Sequence, residues 1–128
     1  MDDISTEHLT VSNEDGVQLV SFRDEQLMDP EQVRQIEKEL LNIVGESAQK
    51  IVVDFENVKS VASSLIGAMV SLRRAVVNYE GELRMASLSG NVLEAFRVTC
   101  LDTLIPAFPS ARDAIKTMRL PPAASSSE

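Results

Sequence analysis

Ser63 and Ser64 stand side by side a short turn after the run Ile51-Val52-Val53-Asp54-Phe55. The apolar run reads as a buried strand, and the segment that the serines open reads as a helix. A hydroxyl at the amino end of a helix, above the carboxyl end of a strand, has three chemical uses. It can cap the helix by accepting a backbone N–H bond. It can act as a nucleophile if a base lies beside it. It can also accept a phosphate, which the helix dipole and the unpaired N–H groups would favour. Ligands and partners of open α/β sheets tend to bind at that edge of the sheet.

Other reactive chemistry is thinly supplied. The only histidine, His8, falls on a predicted strand, and no Gly-x-Ser-x-Gly elbow surrounds the serines, so no base is visible for a nucleophile. Cys100 is the single cysteine and has apolar neighbours, which reads as a small core residue. No Cys/His cluster is spaced for a metal, and Gly81 and Gly90 are isolated rather than parts of a phosphate-cradling loop. We therefore expect no catalytic residue, no metal and no cofactor, and read the chain as a binding protein rather than an enzyme. The plain alternative for Ser63, or for Ser60, is helix capping, worth about 1 kcal/mol.

The elements that must position these serines follow from periodicity and turn residues. His8 to Val11 and Val17 to Phe22 read as strands joined at Asn13-Glu14-Asp15-Gly16, a hairpin signal. Asp29-Pro30-Glu31-Gln32 is a helix start with capping-box spacing and Pro at the first helical position. Val33, Ile36, Leu40, Leu41 and Val44 then recur at helical spacing up to Gly45, a terminator. After the strand at Ile51 to Phe55, the residues Ile66, Met69, Val70, Val76 and Val77 mark a second helix, closed by Gly81. A strand over Leu83 to Leu88, a short helix after Ser89-Gly90-Asn91, a last short strand at Thr103 to Ile105 and a fourth helix opened by Ser110 complete the order. Such alternation needs crossover connections. The fold class expected is α/β: one domain over residues 7–119, a mixed, mostly parallel sheet covered by about four helices. Residues 1–6 are expected to be a flexible arm and residues 120–128 a disordered tail.

The 128 residues, 44% of them apolar, suffice for one real core, and a formal charge of −8 bounds the partners. Nucleic acid and anionic membrane surfaces are disfavoured, because both reward a basic patch. Met1-Asp2-Asp3 lacks the basic start of a signal peptide, and the uncharged stretch from Ser60 to Leu72 is too short to span a bilayer. These readings point to the cytoplasm and to a protein partner. An exposed edge strand leaves the chain a monomer or a weak dimer.

Asp54 at a strand end, Ser63-Ser64-x-x-Gly67 opening a helix, and the stretch Val92-Leu93-Glu94-Ala95-Phe96 through Leu101, Leu104 and Phe108 resemble the STAS domain, and more narrowly the bacterial anti-sigma factor antagonists. The resemblance runs from about His8 to Met118. In that family the loop typically reads Asp-Ser-Ser-Gly-Leu-Gly, and the first serine is phosphorylated by a kinase that is itself the anti-sigma factor. Set on this sequence, Ala62 falls on the Asp, Ser63 on the phosphoacceptor, Ser64 on the second serine, Leu65 on the first Gly, Ile66 on the Leu and Gly67 on the last Gly. Cys100 takes the place of a glycine in the later Gly-Leu turn. The resemblance implies binding to an anti-sigma factor of the serine-kinase type, phosphorylation at Ser63, and docking through Ser60, Ala62, Ser63, Ser64, Leu65, Gly67, Met69 and Arg73. The departures at Ala62 and Leu65 suit an alternative, a non-phosphorylated STAS scaffold subunit of a signalling complex.

Overall fold

The computed structural model describes residues 4–45 and 49–119. Strands β2 (Leu9–Glu14) and β3 (Val17–Phe22) form the expected hairpin. Asp15 and Gly16 between them have φ of 57° and 82°, the left-handed pair that matches a tight turn to the twist of its strands. β1 (Ile4–Ser5) adds a strand by pairing antiparallel with Thr10 and Val11, so part of the segment read as a flexible arm belongs to the sheet. The tail expected to be disordered, residues 120–128, lies outside the described residues, as do residues 1–3.

Helix α1 (Pro30–Val44) starts on a full capping box, Asp29 accepting the Gln32 N–H and Gln32 accepting the Asp29 N–H, both at 3.2 Å. It ends at Gly45, where φ is 60°. Its inner face carries Val33, Ile36, Leu40 and Val44, whereas Leu41 faces outward and Glu39 is buried in its stead. β5 (Lys50–Asp54) runs parallel to both β3 and β7 (Glu82–Ala86). A strand covered on both faces explains why Ile51, Val52 and Val53 form an unbroken apolar run. β8 (Ala107–Phe108) pairs parallel with β7, giving the order β1-β2-β3-β5-β7-β8. A separate parallel pair, β4 (Gln26–Leu27) with β6 (Ser60–Val61), lies beside this sheet in the chain path to the next helix.

Helices α2 (Ser63–Asn78), α3 (Gly90–Val98), α4 (Leu101–Leu104) and α5 (Ala111–Arg119) follow. The mixed, mostly parallel α/β architecture is the one expected, with five helices among the described residues. The additional one corrects the sequence reading: Thr103 and Leu104 close a helical turn, and the last strand comes after Pro106. Ile105 is extended, the conformation a following proline favours, so the helix stops there. Cys100 is also corrected. It is exposed, with φ 61°, and forms the left-handed link between α3 and α4, so it is not a core residue.

Side chains alternate along β5: Ile51 and Val53 enter a large core with α1, α2 and α3, and Val52 enters a smaller one. The smaller core joins Val17, Val52 and Ala86 to Ala114, Ile115 and Met118 of α5. Phe55 connects Phe22 and Phe96 in the large core, with ring centroids 5.1 and 5.2 Å away. Gly81 marks a close approach rather than an unusual φ: a Cβ there would lie 2.4 Å from the carbonyl oxygen of Gln49.

Candidate functional site

The path from β5 to α2 is pinned at each step. Phe55 N–H donates to the Ala86 carbonyl at 2.9 Å, Glu56 N–H to Asp54 Oδ1 at 3.2 Å, and Val58 N–H to the Phe55 carbonyl at 3.0 Å. Asp54 is buried and spends an oxygen on this turn, a role common to carboxylates at strand ends. Lys59 N–H then donates to the Glu25 carbonyl at 2.7 Å and Ala62 N–H to the Leu27 carbonyl at 2.9 Å, so β4 fixes where α2 begins. β4 is itself held by Gln32, whose Nε2 donates to the Gln26 carbonyl at 2.8 Å and to Asp24 Oδ2 at 3.0 Å. His8 Nδ1 lies 2.6 Å from the same Asp24 oxygen. Burial pushes the Asp24 carboxyl up, but hydrogen bonds from Gln32 and His8, with the charges of His8 and Arg23, outweigh it and hold Asp24 below its usual 3.8.

At the start of α2 the capping residue is Ala62, in extended conformation and with no side-chain acceptor. The capping reading of the serines is thereby corrected: Ser63 is the first helical residue, and Ser60 lies half-buried in β6. Ser63 and Ser64 are exposed, and their hydroxyls make no hydrogen bond with any described residue. The first N–H groups of the helix lack a side-chain partner, the condition in which a helix end attracts an anion.

The predicted docking residues divide by depth. Ser63, Ser64 and Gly67 are exposed together, Ser60 and Ala62 flank them half-buried, and Arg73 is half-buried further along α2. Leu65 and Met69 are 0% exposed, which corrects their assignment to the docking surface: they face the sheet and hold the helix down. The inner stripe is Leu65, Ala68, Met69, Leu72 and Val76, whereas Val77, expected on it, is 52% exposed. Gly67 has no internal justification. Its φ is not left-handed and, among the described residues, an added Cβ would meet nothing within 4 Å, yet glycine inside a helix costs about 0.5–1 kcal/mol relative to alanine. Arg73 Nε donates to the Leu104 carbonyl at 3.0 Å and ties α4 to α2. The sequence reading missed Met28, 49% exposed and next to Leu27, whose carbonyl receives the Ala62 N–H. Its signal was an apolar residue directly before a cap, outside the periodicity of α1.

Two other groupings lie nearby. A cleft of about 360 Å³ at the amino ends of α3 and α5 is lined by Asp54, Glu56, Ser87, Ser89 and Ser110, and its two carboxylates oppose an anion. Glu7, His8 and Glu39 bring one donor atom each within 4.8 Å of one another, a proximity invisible in sequence because Glu39 comes from α1. Glu39 accepts from the Thr6 hydroxyl, from His8 N–H at 3.3 Å and from Gln35 at 3.3 Å, so the group ties the turn between β1 and β2 to α1. Among the described residues no base is hydrogen-bonded to either serine, and no helix is long and apolar enough to cross a membrane.

A sequence model of the STAS domain matches residues 9–114. Among solved structures, a STAS-domain anti-sigma factor antagonist protein from Planctomyces limnophilus is 24% identical, with a TM-score of 0.81 over 88% of this chain and 98% of its own. An anti-sigma factor antagonist from Mycobacterium paratuberculosis is 20% identical, with a TM-score of 0.78 over 91% of this chain and 100% of its own. The Bacillus cell fate determinant SpoIIAA is similar both unphosphorylated (18% identity, TM-score 0.72, 87% of this chain and 96% of its own) and phosphorylated (17%, 0.65, 87% and 99%). No curated protein matches the chain.

Proposed function

The chain belongs to the STAS domain family, and from that premise we propose that it is a cytoplasmic anti-sigma factor antagonist, a binding module without a reaction of its own. Its partner is an anti-sigma factor of the serine-kinase type, docked on the amino end of α2 and released by phosphorylation of Ser63. The observation that carries this reading is the free Ser63 hydroxyl on the first residue of an uncapped helix. A phosphate there adds about −1.5 to −2 charges and finds unpaired N–H groups in the same helix. The fold needs no rearrangement to hold it. A partner packed on that helix end would have to bury or repel the dianion, so affinity falls without a conformational change.

The test is intact mass and peptide mapping after incubation with ATP and purified kinase-type anti-sigma factors from the same genome, with Ser63→Ala in parallel. Phosphate on Ser63, absent from the variant, together with loss of binding in Ser63→Asp, supports the switch. The absence of a carboxylate at Ala62 favours one other reading, a scaffold that is never phosphorylated. Capture of the partner through the same helix end with no phosphate on Ser63 would establish that reading instead.

A further inference from the structure

From Asn57 to Tyr79 the sequence holds no aspartate or glutamate, yet it holds Lys59, Arg73 and Arg74, in a chain whose net charge is −8. Most of this stretch is α2, whose outer face carries Ser63, Gly67, Val70, Arg74 and Val77 at helical spacing, a line about 20 Å long at about 1.5 Å per residue. Towards the carboxyl end of that line Val70, Arg73, Arg74, Val77 and Asn78 enclose, with Leu104 of α4, a groove of about 300 Å³. Val77 and Leu104 are 52% and 46% exposed, so apolar surface is left open at its floor and wall. The bond from Arg73 to the Leu104 carbonyl holds the two walls together. The Arg74 guanidinium has no hydrogen bond or ion pair with any described residue.

We infer that this groove takes an acidic amphipathic helix of the partner protein, which extends the docking surface from Ser63 to the far end of α2. The inference rests on the docking reading above. Two arginines set among apolar side chains fit a helix that presents leucines on one stripe and carboxylates beside it. The net negative charge disfavours such a helix over most of the surface; the other basic element, α5, carries Arg112, Lys116 and Arg119 against Asp113 on the opposite face of the sheet. A nucleic acid would meet the same excess with only two arginines to neutralise its phosphates.

The full chain, labelled with ¹⁵N, is titrated with a short stapled helical peptide carrying leucines at helical spacing flanked by glutamates. The same peptide with lysines for glutamates, and duplex DNA, are titrated beside it. Saturable amide shifts confined to Val70–Asn78 and Leu101–Leu104 are expected with the acidic peptide. Arg74→Glu should weaken it by about tenfold or more, and Arg112→Glu, on α5 across the sheet, should leave it unchanged. Absent or scattered shifts, equal binding of the lysine peptide, or an indifferent Arg74→Glu would overturn the assignment. DNA binding the groove more tightly than the acidic peptide would do the same. The peptide readout needs neither phosphate nor anti-sigma factor, so its failure is distinct from failure of the Ser63 switch.

Discussion

Gly67 separates stability from binding more cleanly than any other residue of α2. No described residue would touch a Cβ there, so Gly67→Ala should stabilise the protein by about 0.5–1 kcal/mol by lowering the entropy of the unfolded chain. The same methyl would stand on the face proposed for docking. We expect a raised midpoint in thermal or denaturant unfolding together with weaker partner affinity; a stabilised variant that binds as tightly as wild type would remove Gly67 from the surface. Neighbouring residues show why depth was hard to read. Leu65, Ile66, Met69, Val70 and Val77 are all apolar, and a helix apolar on most sides does not announce which stripe faces inward. The sheet chose Leu65 and Met69 and left Val77 outside. The helix start at Ser63 was legible from the periodicity that follows it, although Ala62 and not a serine occupies the cap.

At the level of elements, α2 starts where it does because Asp24, Gln32 and His8 hold β4, and β4 holds β6. Asp24 is held below its usual 3.8, so its contribution to stability is fully present above that value and is lost as pH falls through the lowered folded pKa. Asp24→Asn should therefore be less stable at neutral pH and show a flatter acid limb below about pH 4. Its Ala62 amide, bonded to the Leu27 carbonyl, should exchange hydrogen faster. Acid unfolding unchanged from wild type would show that the network does not position the site. The capping box that opens α1 was legible as four consecutive residues. The use of the same Gln32 to fix Asp24 and Gln26 was not, because it joins segments that meet only when β4 lies against α1.

Across the whole molecule, the sheet has unequal faces. α1, α2 and α3 share the large core, whereas α5 covers a small one made of Val17, Val52, Ala86, Ala114, Ile115 and Met118. Less buried apolar area means a lower free energy of local opening. Native-state hydrogen exchange should find the amides of α5 opening at lower denaturant than those of α1 and α2, and a single shared opening energy would contradict this. The docking face proposed here lies on α2, on the more stable side. Among the described residues both edges of the six-stranded sheet are two-residue strands, β1 and β8, and short edges limit edge-to-edge pairing.

Adjacent residues alone specify the main strand–helix alternation as far as α3, the hairpin at Asp15-Gly16, both ends of α1 and the helix that opens at Ser63. Each of these is a local rule of φ, capping or periodicity, written in adjacent residues. Packing sets the rest: Leu65 and Met69 are internal, Cys100 is exposed at a left-handed link, Glu39 meets His8, and Arg73 joins Leu104 to wall a groove. Those outcomes depend on which segments the sheet brings together, and side-chain burial is settled by that packing rather than by residue type.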